Sequence, residues 1–473
     1  MSKIENDPEA QTKVQSAERP FTTDNATDQD VITEDAVFGT ITTDGPNYRN
    51  IGWLGTSVLM MKAQIGLGVL SLPAAFNTLG LIPGIVSLLV LAHITTWGSY
   101  ELGIFKLNHP EMYGYHDSMG LVFGRVGYEI MTIAFALFLV FCCASGLLSI
   151  SIALNAISTH ATCTAAFVAV PAVTVFCLAS IRTMGSISWL AWVGMGCIFV
   201  ALLTITIGVG TQGRPESAPA TPGPWRSDWQ LVAHPSFTEA ISAVTAMVFA
   251  LTGSPFFFAM ISEMRDPRQY QKALFLCQGF VVVTFITIGV VTYYYCGSYV
   301  ASPVLGSAGK TVKVAAYAVA LPGLCVSATL SAHTVSKFFF VRILRGSRHL
   351  SSNTFVHWAT WFVCVGAAIT VAYLIASGIP IFDRLVSLVG ALLGTLMVFQ
   401  PLGVMWLYDN WSIFNENRTM VKTLKLAWVI FVIMSGTFLM IAGTYGAIVG
   451  VVDAMNANEG TRPWSCSDNS NSV

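Results

Sequence analysis

Apolar residues come in long unbroken runs along this chain, without strand-like alternation. From Gly52 onward eleven runs are long enough to cross about 30 Å of hydrocarbon as helices. They cover residues 52–76, 80–102, 128–156, 162–181, 186–209, 237–262, 273–296, 312–341, 355–378, 384–408 and 425–451. The strands of a membrane barrel would alternate over about ten residues. The pattern therefore predicts an all-α polytopic membrane protein, since only internally bonded helices cross lipid this way.

Two runs are interrupted. KAQIGLGVLSLP (62–73) places Lys62, Gln64, Gly66, Gly68 and Pro73 inside the first, and LTGSP (251–255) divides the sixth. Interruptions at corresponding places in two halves point to a transporter's binding site. Breaks in spans one and six are what a five-plus-five inverted repeat requires, with the eleventh span as an extra helix. An unwound stretch frees N–H groups that suit a carboxylate and C=O groups that suit an ammonium. A zwitterionic amino acid needs both. Glycine lets a ligand approach the backbone, although small residues also let helices pack closely. IGLG is not a dinucleotide fingerprint, because Ser71 stands where the third glycine belongs and no strand precedes it.

Composition agrees with a bilayer. Only 10% of residues are charged, against about 25% in soluble proteins, and mean hydropathy is +0.64. With 24 basic and 25 acidic residues, nothing implies a nucleic-acid partner. The ten cysteines lie mostly in apolar runs and read as packing residues. Cys163 and Cys296, both near outer loops, are candidates to pair. Residues 1–50 hold ten acids and four bases, which predicts a disordered acidic cytoplasmic tail and no cleavable signal peptide. Residues 51–452 then form the transporter domain and 453–473 a short extracellular tail.

With the N-terminus inside, the inner side carries Lys106, Arg125, Arg182, Arg265, Arg268, Lys272, Lys337, Arg342, Arg345, Arg348, Arg418, Lys422 and Lys425. The outer side keeps Arg214, Arg226, Lys310, Lys313, Arg384 and Arg462. This asymmetry favours an inside N-terminus and an outside C-terminus. The N-x-T sequons at Asn25 and Asn417 then face the cytoplasm.

Ionisable groups within spans are costly and point to function. Lys62, one turn before the first break, is a candidate for coupling-ion work or for pairing with Glu101 or Glu263. His93 reads as a packing residue. Span eight carries Ser327, Thr329, Ser331, His333 and Thr334, which could hold a cation or water, or bond back to their own helix. Residues 215–229 read as an exposed linker, and residues 112–123 as an amphipathic helix on the inner membrane face. The spans hold no paired carboxylates, H-E-x-x-H or G-x-S-x-G, so neither an enzyme nor a cofactor or metal is expected.

IGLGVLSLPAAFNTLG (65–80), AMVFALTGSPFFFAMISEMRDP (246–267) and VSLVGALLGTLMVFQP (386–401) resemble the marker segments of the amino acid/auxin permease family. Within it, the chain is similar to fungal neutral amino acid permeases of the methyltryptophan-resistance type. The resemblance runs in order over about 400 residues. It implies proton-coupled uptake of neutral aliphatic and aromatic amino acids at the fungal plasma membrane, with a proton rather than Na⁺ as partner. It also implies that Ile65, Gly66, Leu67 and Gly68 meet the substrate carboxylate. Ala250, Leu251, Thr252, Gly253 and Ser254 would then hold the amino group and line the side-chain pocket. Lys62 departs from the family pattern by placing a base where relatives often carry a neutral residue, which disfavours Na⁺ nearby. A membrane sensor with the same site, and a vacuolar carrier, are the alternatives. The acidic tail lacks a foldable motif, which argues for carriage.

Overall fold

A computed structural model describes residues 33–35, 39–41, 49–181, 184–215, 218–219, 225–347, 349–350, 354–379, 381–411, 419–456, 464 and 466–470. The sequons at Asn25 and Asn417, most of the acidic stretch, and Arg182, Arg348, Arg418 and Arg462 lie outside them. Within that stretch Thr33–Asp35 (β1) and Gly39–Ile41 (β2) pair antiparallel, Glu34 opposite Thr40. Everything else that is regular is helical.

Among the described residues, ten helical segments are long and apolar enough to cross a membrane, and Thr164–Ala179 is a shorter eleventh. Span one is α1 (Trp53–Gln64), a 3₁₀ turn Gly68–Ser71 and α2 (Leu72–Leu79). Spans two to five are α3 (Leu81–Asn108), α4 (Tyr115–Ser158), α5 (Thr164–Ala179) and α6 (Met184–Thr211). Span six is α7 (Phe237–Leu251) plus α8 (Ser254–Ser262). Spans seven to nine are α9 (Tyr270–Cys296), α10 (Lys310–Leu344) and α11 (Phe355–Gly378). Span ten is α12 (Phe382–Val389), a π turn Gly390–Gly394, α13 (Thr395–Val398) and α14 (Gln400–Asp409). Span eleven is α15 (Met420–Asn456). Each span reverses the direction of the one before, so spans one and six run oppositely. We call the side where α1 begins the near side.

Two packing groups emerge. Span one packs on spans two, six and seven, and span two on six and seven. Spans three, four, eight and nine each pack on the other three. Span five lies against spans one, seven and eight, and span eleven lies outermost beside six and ten.

The near side is sealed. Ile51 forms a parallel bridge with Met264, donating to Glu263 O (3.3 Å) while Arg265 N donates to Ile51 O (2.9 Å). Lys337 of span eight donates to the Glu263 carboxylate, and both side chains are buried. Residues 115–123 are helical, and the face they bury packs against protein. They open α4 before a kink at Gly124 (φ 65°), and one face is buried, with Tyr115 edge-on to Phe258 of α8 (5.3 Å). Leu121 and Phe123 keep the other face exposed.

The far side is partly open. Just after the expected linker (215–229), the chain is hydrogen-bonded to span two and to the end of α2: Leu81 and Ile82 donate to Gln230 O (3.0 Å) and Leu231 O (2.9 Å), and Ala233 donates to Leu79 O (3.2 Å). Gly80 turns the chain there with φ 86°, and a Cβ would stand 2.5 Å from Ala233 N. Cys163 bonds to Cys466, correcting the expected candidate pair: Cys296 is a buried free thiol whose Sγ faces Ser307 O (3.7 Å).

The near-side ion pair gives a stability prediction. Lys337→Met removes the cation that faces a buried carboxylate and costs about 3–5 kcal/mol, whereas Glu263→Met with Lys337→Met stays within about 1 kcal/mol of wild type or gains stability. Thermal unfolding of the two purified variants distinguishes these outcomes.

Candidate functional site

Spans one and six break by the same backbone device. α1 ends at Gln64, and Ile65 takes φ −83°, ψ 77° while Gly66 N donates to Gln64 O (3.0 Å). α7 ends at Leu251, and Thr252 takes φ −79°, ψ 76° while Gly253 N donates to Leu251 O (2.9 Å). Each is an inverse γ-turn. Helical angles return two residues on in span one, at Leu67 (φ −91°, ψ −40°), and at the next residue in span six, Gly253 (φ −98°, ψ −25°). The N–H groups of Leu67, Gly68 and Val69 find no backbone acceptor among the described residues. They stand at the start of the second half of span one, where the helix dipole is positive.

Three glycines interlock the broken spans. A Cβ on Gly68 would lie 2.3 Å from Ala250 Cα, so spans one and six touch backbone to backbone. A Cβ on Gly253 would lie 2.4 Å from the Gln64 amide nitrogen, and one on Gly66 would lie 2.4 Å from Ser327 Oγ of span eight. The π turn of span ten presses in from the other side, Gly390 against Thr245 O and Gly394 near Thr252 Oγ1.

Between the breaks lies a cavity of about 30 Å³. Its polar wall is Lys62, Gln64, Thr252, Ser327 and Ser331; its apolar wall is Leu67, Phe138, Cys142, Phe249, Phe256 and Leu330. One turn from Phe249 along span six, Ala246 lines a far-side vestibule of about 450 Å³, together with Ser71, Asn77, Glu239, Asp383 and Arg384.

Lys62 is 1% exposed. Its Nζ donates to Ser327 Oγ (2.5 Å) and Ile65 O (3.4 Å), tying span eight to the first break. Its stem packs on Gly194 of span five. The expected carboxylate partners are not there: Glu263 is paired with Lys337, and among the described residues no acid lies within ion-pair distance of Lys62. The span-eight hydroxyls bond back to their own helix, Ser327 to Gly323 O (3.2 Å), Ser331 to Ser327 O (3.3 Å) and Thr334 to Leu330 O (2.7 Å).

Of the residues singled out in the sequence, Lys62, Leu67, Gly68, Thr252, Ser327 and Ser331 line the cavity. Ile65, Gly66, Ala250, Leu251, Gly253 and Ser254 form the breaks and contacts behind it. Thr329 and His333 are buried but do not line it, the His333 ring lying edge-on to Trp361 of span nine (5.4 Å). His93 packs edge-on against Trp428 (5.4 Å). Sequence reasoning noted Gln64 at the first break without giving it a role, and passed over Phe138 and Phe256. Gln64 is 2% exposed, and neither atom of its amide has a partner among the described residues. A polar residue abutting the first break was the available signal for Gln64. The phenylalanines carried none. Among the described residues, no group of three or more His, Cys, Asp or Glu is placed to hold a metal ion.

Comparison with known proteins gives consistent results. A "Transmembrane transporter" of Gibberella moniliformis is 33% identical over 431 residues, covering 91% of this chain and 90% of its own. One of the same name from Fusarium pseudograminearum is 34% identical over 434 residues, covering 91% and 90%. The "N amino acid transport system protein" of Neurospora crassa is 30% identical over 424 residues, covering 89% of each. Among solved structures, the substrate-bound outward-open state of a Na⁺-coupled sialic acid symporter superposes with TM-score 0.52 at 13% identity, over 85% of this chain and 92% of the other. At that identity the likeness shows the fold alone. Residues 49–449 match the family described as transmembrane amino acid transporter protein. This chain belongs to that family, a family of transporters and not of enzymes.

Proposed function

We propose that the protein is a secondary active carrier that takes up neutral aliphatic and aromatic L-amino acids together with protons across the plasma membrane. The observation that carries this reading is the pair of matching breaks around a cavity with one amine, one amide, three phenylalanines and no carboxylate. The free N–H groups of Leu67, Gly68 and Val69 suit the substrate carboxylate. The carbonyl end of α7 and the Gln64 amide oxygen suit its ammonium. Leu67, Phe138, Phe249, Phe256 and Leu330 suit an apolar side chain, and the lack of an acid disfavours a basic one. The amino acid cargo named for the Neurospora relative supports the same class.

Lys62 supports proton coupling. Burying an ammonium without a carboxylate costs several kcal/mol, and a fixed cation between spans one and eight leaves little attraction for Na⁺. Lysine has three N–H donors, two of which meet Ser327 and Ile65, so the third is available to a ligand. In the proposed cycle Lys62 releases and regains its proton as the two packing groups move. The near side is the cytoplasm: most Lys and Arg lie there, and the Cys163–Cys466 bond lies on the opposite side, as an oxidising exterior favours. The vestibule is then the entrance from outside.

At fixed Na⁺, uptake into reconstituted vesicles rises as external pH falls, and Lys62→Met removes that dependence together with accumulation against a gradient. Uptake that follows Na⁺ and ignores pH refutes proton coupling, and binding without flux replaces the carrier by a sensor. Gln64→Leu raises KM about tenfold for leucine and phenylalanine alike, the loss of roughly one hydrogen-bonded contact to a charged ligand group. Initial-rate uptake of both substrates measures it. Gly66→Val abolishes uptake while the protein still reaches the membrane, because its side chain occupies the place of Ser327 Oγ and parts it from Lys62. Surface labelling beside uptake checks both halves of that outcome.

A further inference from the structure

The chain's last described residues, 464 and 466–470, do not hang free on the far side. Cys466 is bonded to Cys163, the residue before span four. Thr164 donates its hydroxyl to Ser467 O (2.6 Å) and accepts from the Asn155 amide of span three (2.9 Å). That amide also donates to Asn469 Oδ1 (2.7 Å). Lys313, at the start of span eight, donates to Ser470 O (2.7 Å). Trp464 N donates to Ser377 O at the end of span nine (3.2 Å), and its ring lies edge-on to Tyr373 (5.7 Å). Asp468 closes the turn by accepting from Ser470 N and Oγ (2.8 and 2.7 Å). Asn155, Thr164, Lys313 and Ser470 are all buried.

These contacts run to spans three, four, eight and nine, the four helices that each pack on the other three. Four spans that meet one short segment at one end form a frame closed at that end. We propose that residues 464 and 466–470 form a covalent brace that holds the far ends of spans three, four, eight and nine as one rigid body, against which spans one and six move. The brace bears on the site through span eight. Lys313 lies fourteen residues before Ser327, roughly 20 Å along a helix, and Ser327 holds the Lys62 amine. The helix between them contains Pro322, which lacks the N–H for one of its bonds. A far end left loose would therefore let that portion bend, and Ser327 would no longer be held at a fixed height.

Reduction tests the brace in the intact protein, since Cys466 is exposed. Dithiothreitol supplies both electrons and both protons, leaving two thiols and its own cyclic disulfide, and maleimide labelling counts the new thiols. Two readouts follow. In reconstituted vesicles, reduction lowers turnover severalfold while KM for leucine changes less than about twofold, the pattern of a lost conformational step rather than lost binding. Cys466→Ser shows the same lowered rate and no response to dithiothreitol. Hydrogen exchange, which does not depend on the carrier reading, speeds up at the far ends of spans three, four, eight and nine and stays unchanged in α1 and α8. Unaltered turnover with both thiols labelled overturns the proposal, as does a rise in KM alone. Faster exchange spread evenly over all spans overturns it too, because that is general loosening. If Cys466→Ser fails to fold, reduction of the folded wild type still decides. If wild type shows no uptake, the carrier reading falls while exchange still tests the brace.

Discussion

A helix interrupted halfway across a bilayer leaves amide groups that neither water nor a next turn can satisfy. The packing of this protein is arranged around that constraint. Each broken span recovers one bond through an inverse γ-turn, at Ile65 and at Thr252, with nearly identical angles. Lys62 then caps the Ile65 carbonyl from within its own helix and hands the connection on to Ser327. Remaining exposed backbone is shielded by contacts too close for any side chain, Gly68 on Ala250 and Gly390 on Thr245. The polar space left over is the small cavity between the two breaks.

Two halves without visible sequence likeness thus share a conformation. An inverse γ-turn needs one residue near φ −75°, ψ 65°, which Ile and Thr both reach, so the repeat leaves no common residue at its centre. What both halves do require is a small residue next, Gly66 and Gly253, where a partner crowds in. Function at such a place constrains backbone more than side chain.

The spans and both breaks were legible in the sequence because each rests on local signals: apolar run length, and Gly or Pro where a helix should continue. Span six runs over 237–262 in both readings. The cavity wall was only half legible. Lys62 was conspicuous as a charge, but its partner Ser327 lies 265 residues away, and among several serines on span eight nothing local distinguishes it. Phe138 and Phe256 look like any other apolar residues until the spans are assembled. The amphipathic pattern of residues 112–123 showed a helix with one buried face, and the partner of that face, Phe258 of α8, became visible only in the assembled fold. Cys163 was read as lying near a loop and as a candidate to form a disulfide. Its partner was not found, because a polar chain end offers no periodicity to place Cys466.

That disulfide also bears on how the protein is made. Its two cysteines are 303 residues apart, and spans four to eleven lie between them. At ordinary rates of synthesis, Cys163 waits on the order of half a minute for its partner. The bond cannot close until the later spans have been made and Cys466 has reached the side of Cys163, since one missed crossing would leave it on the other side. A closed Cys163–Cys466 bond is thus a chemical record that the chain has been made to its far cysteine and that both ends of the bond stand on one side.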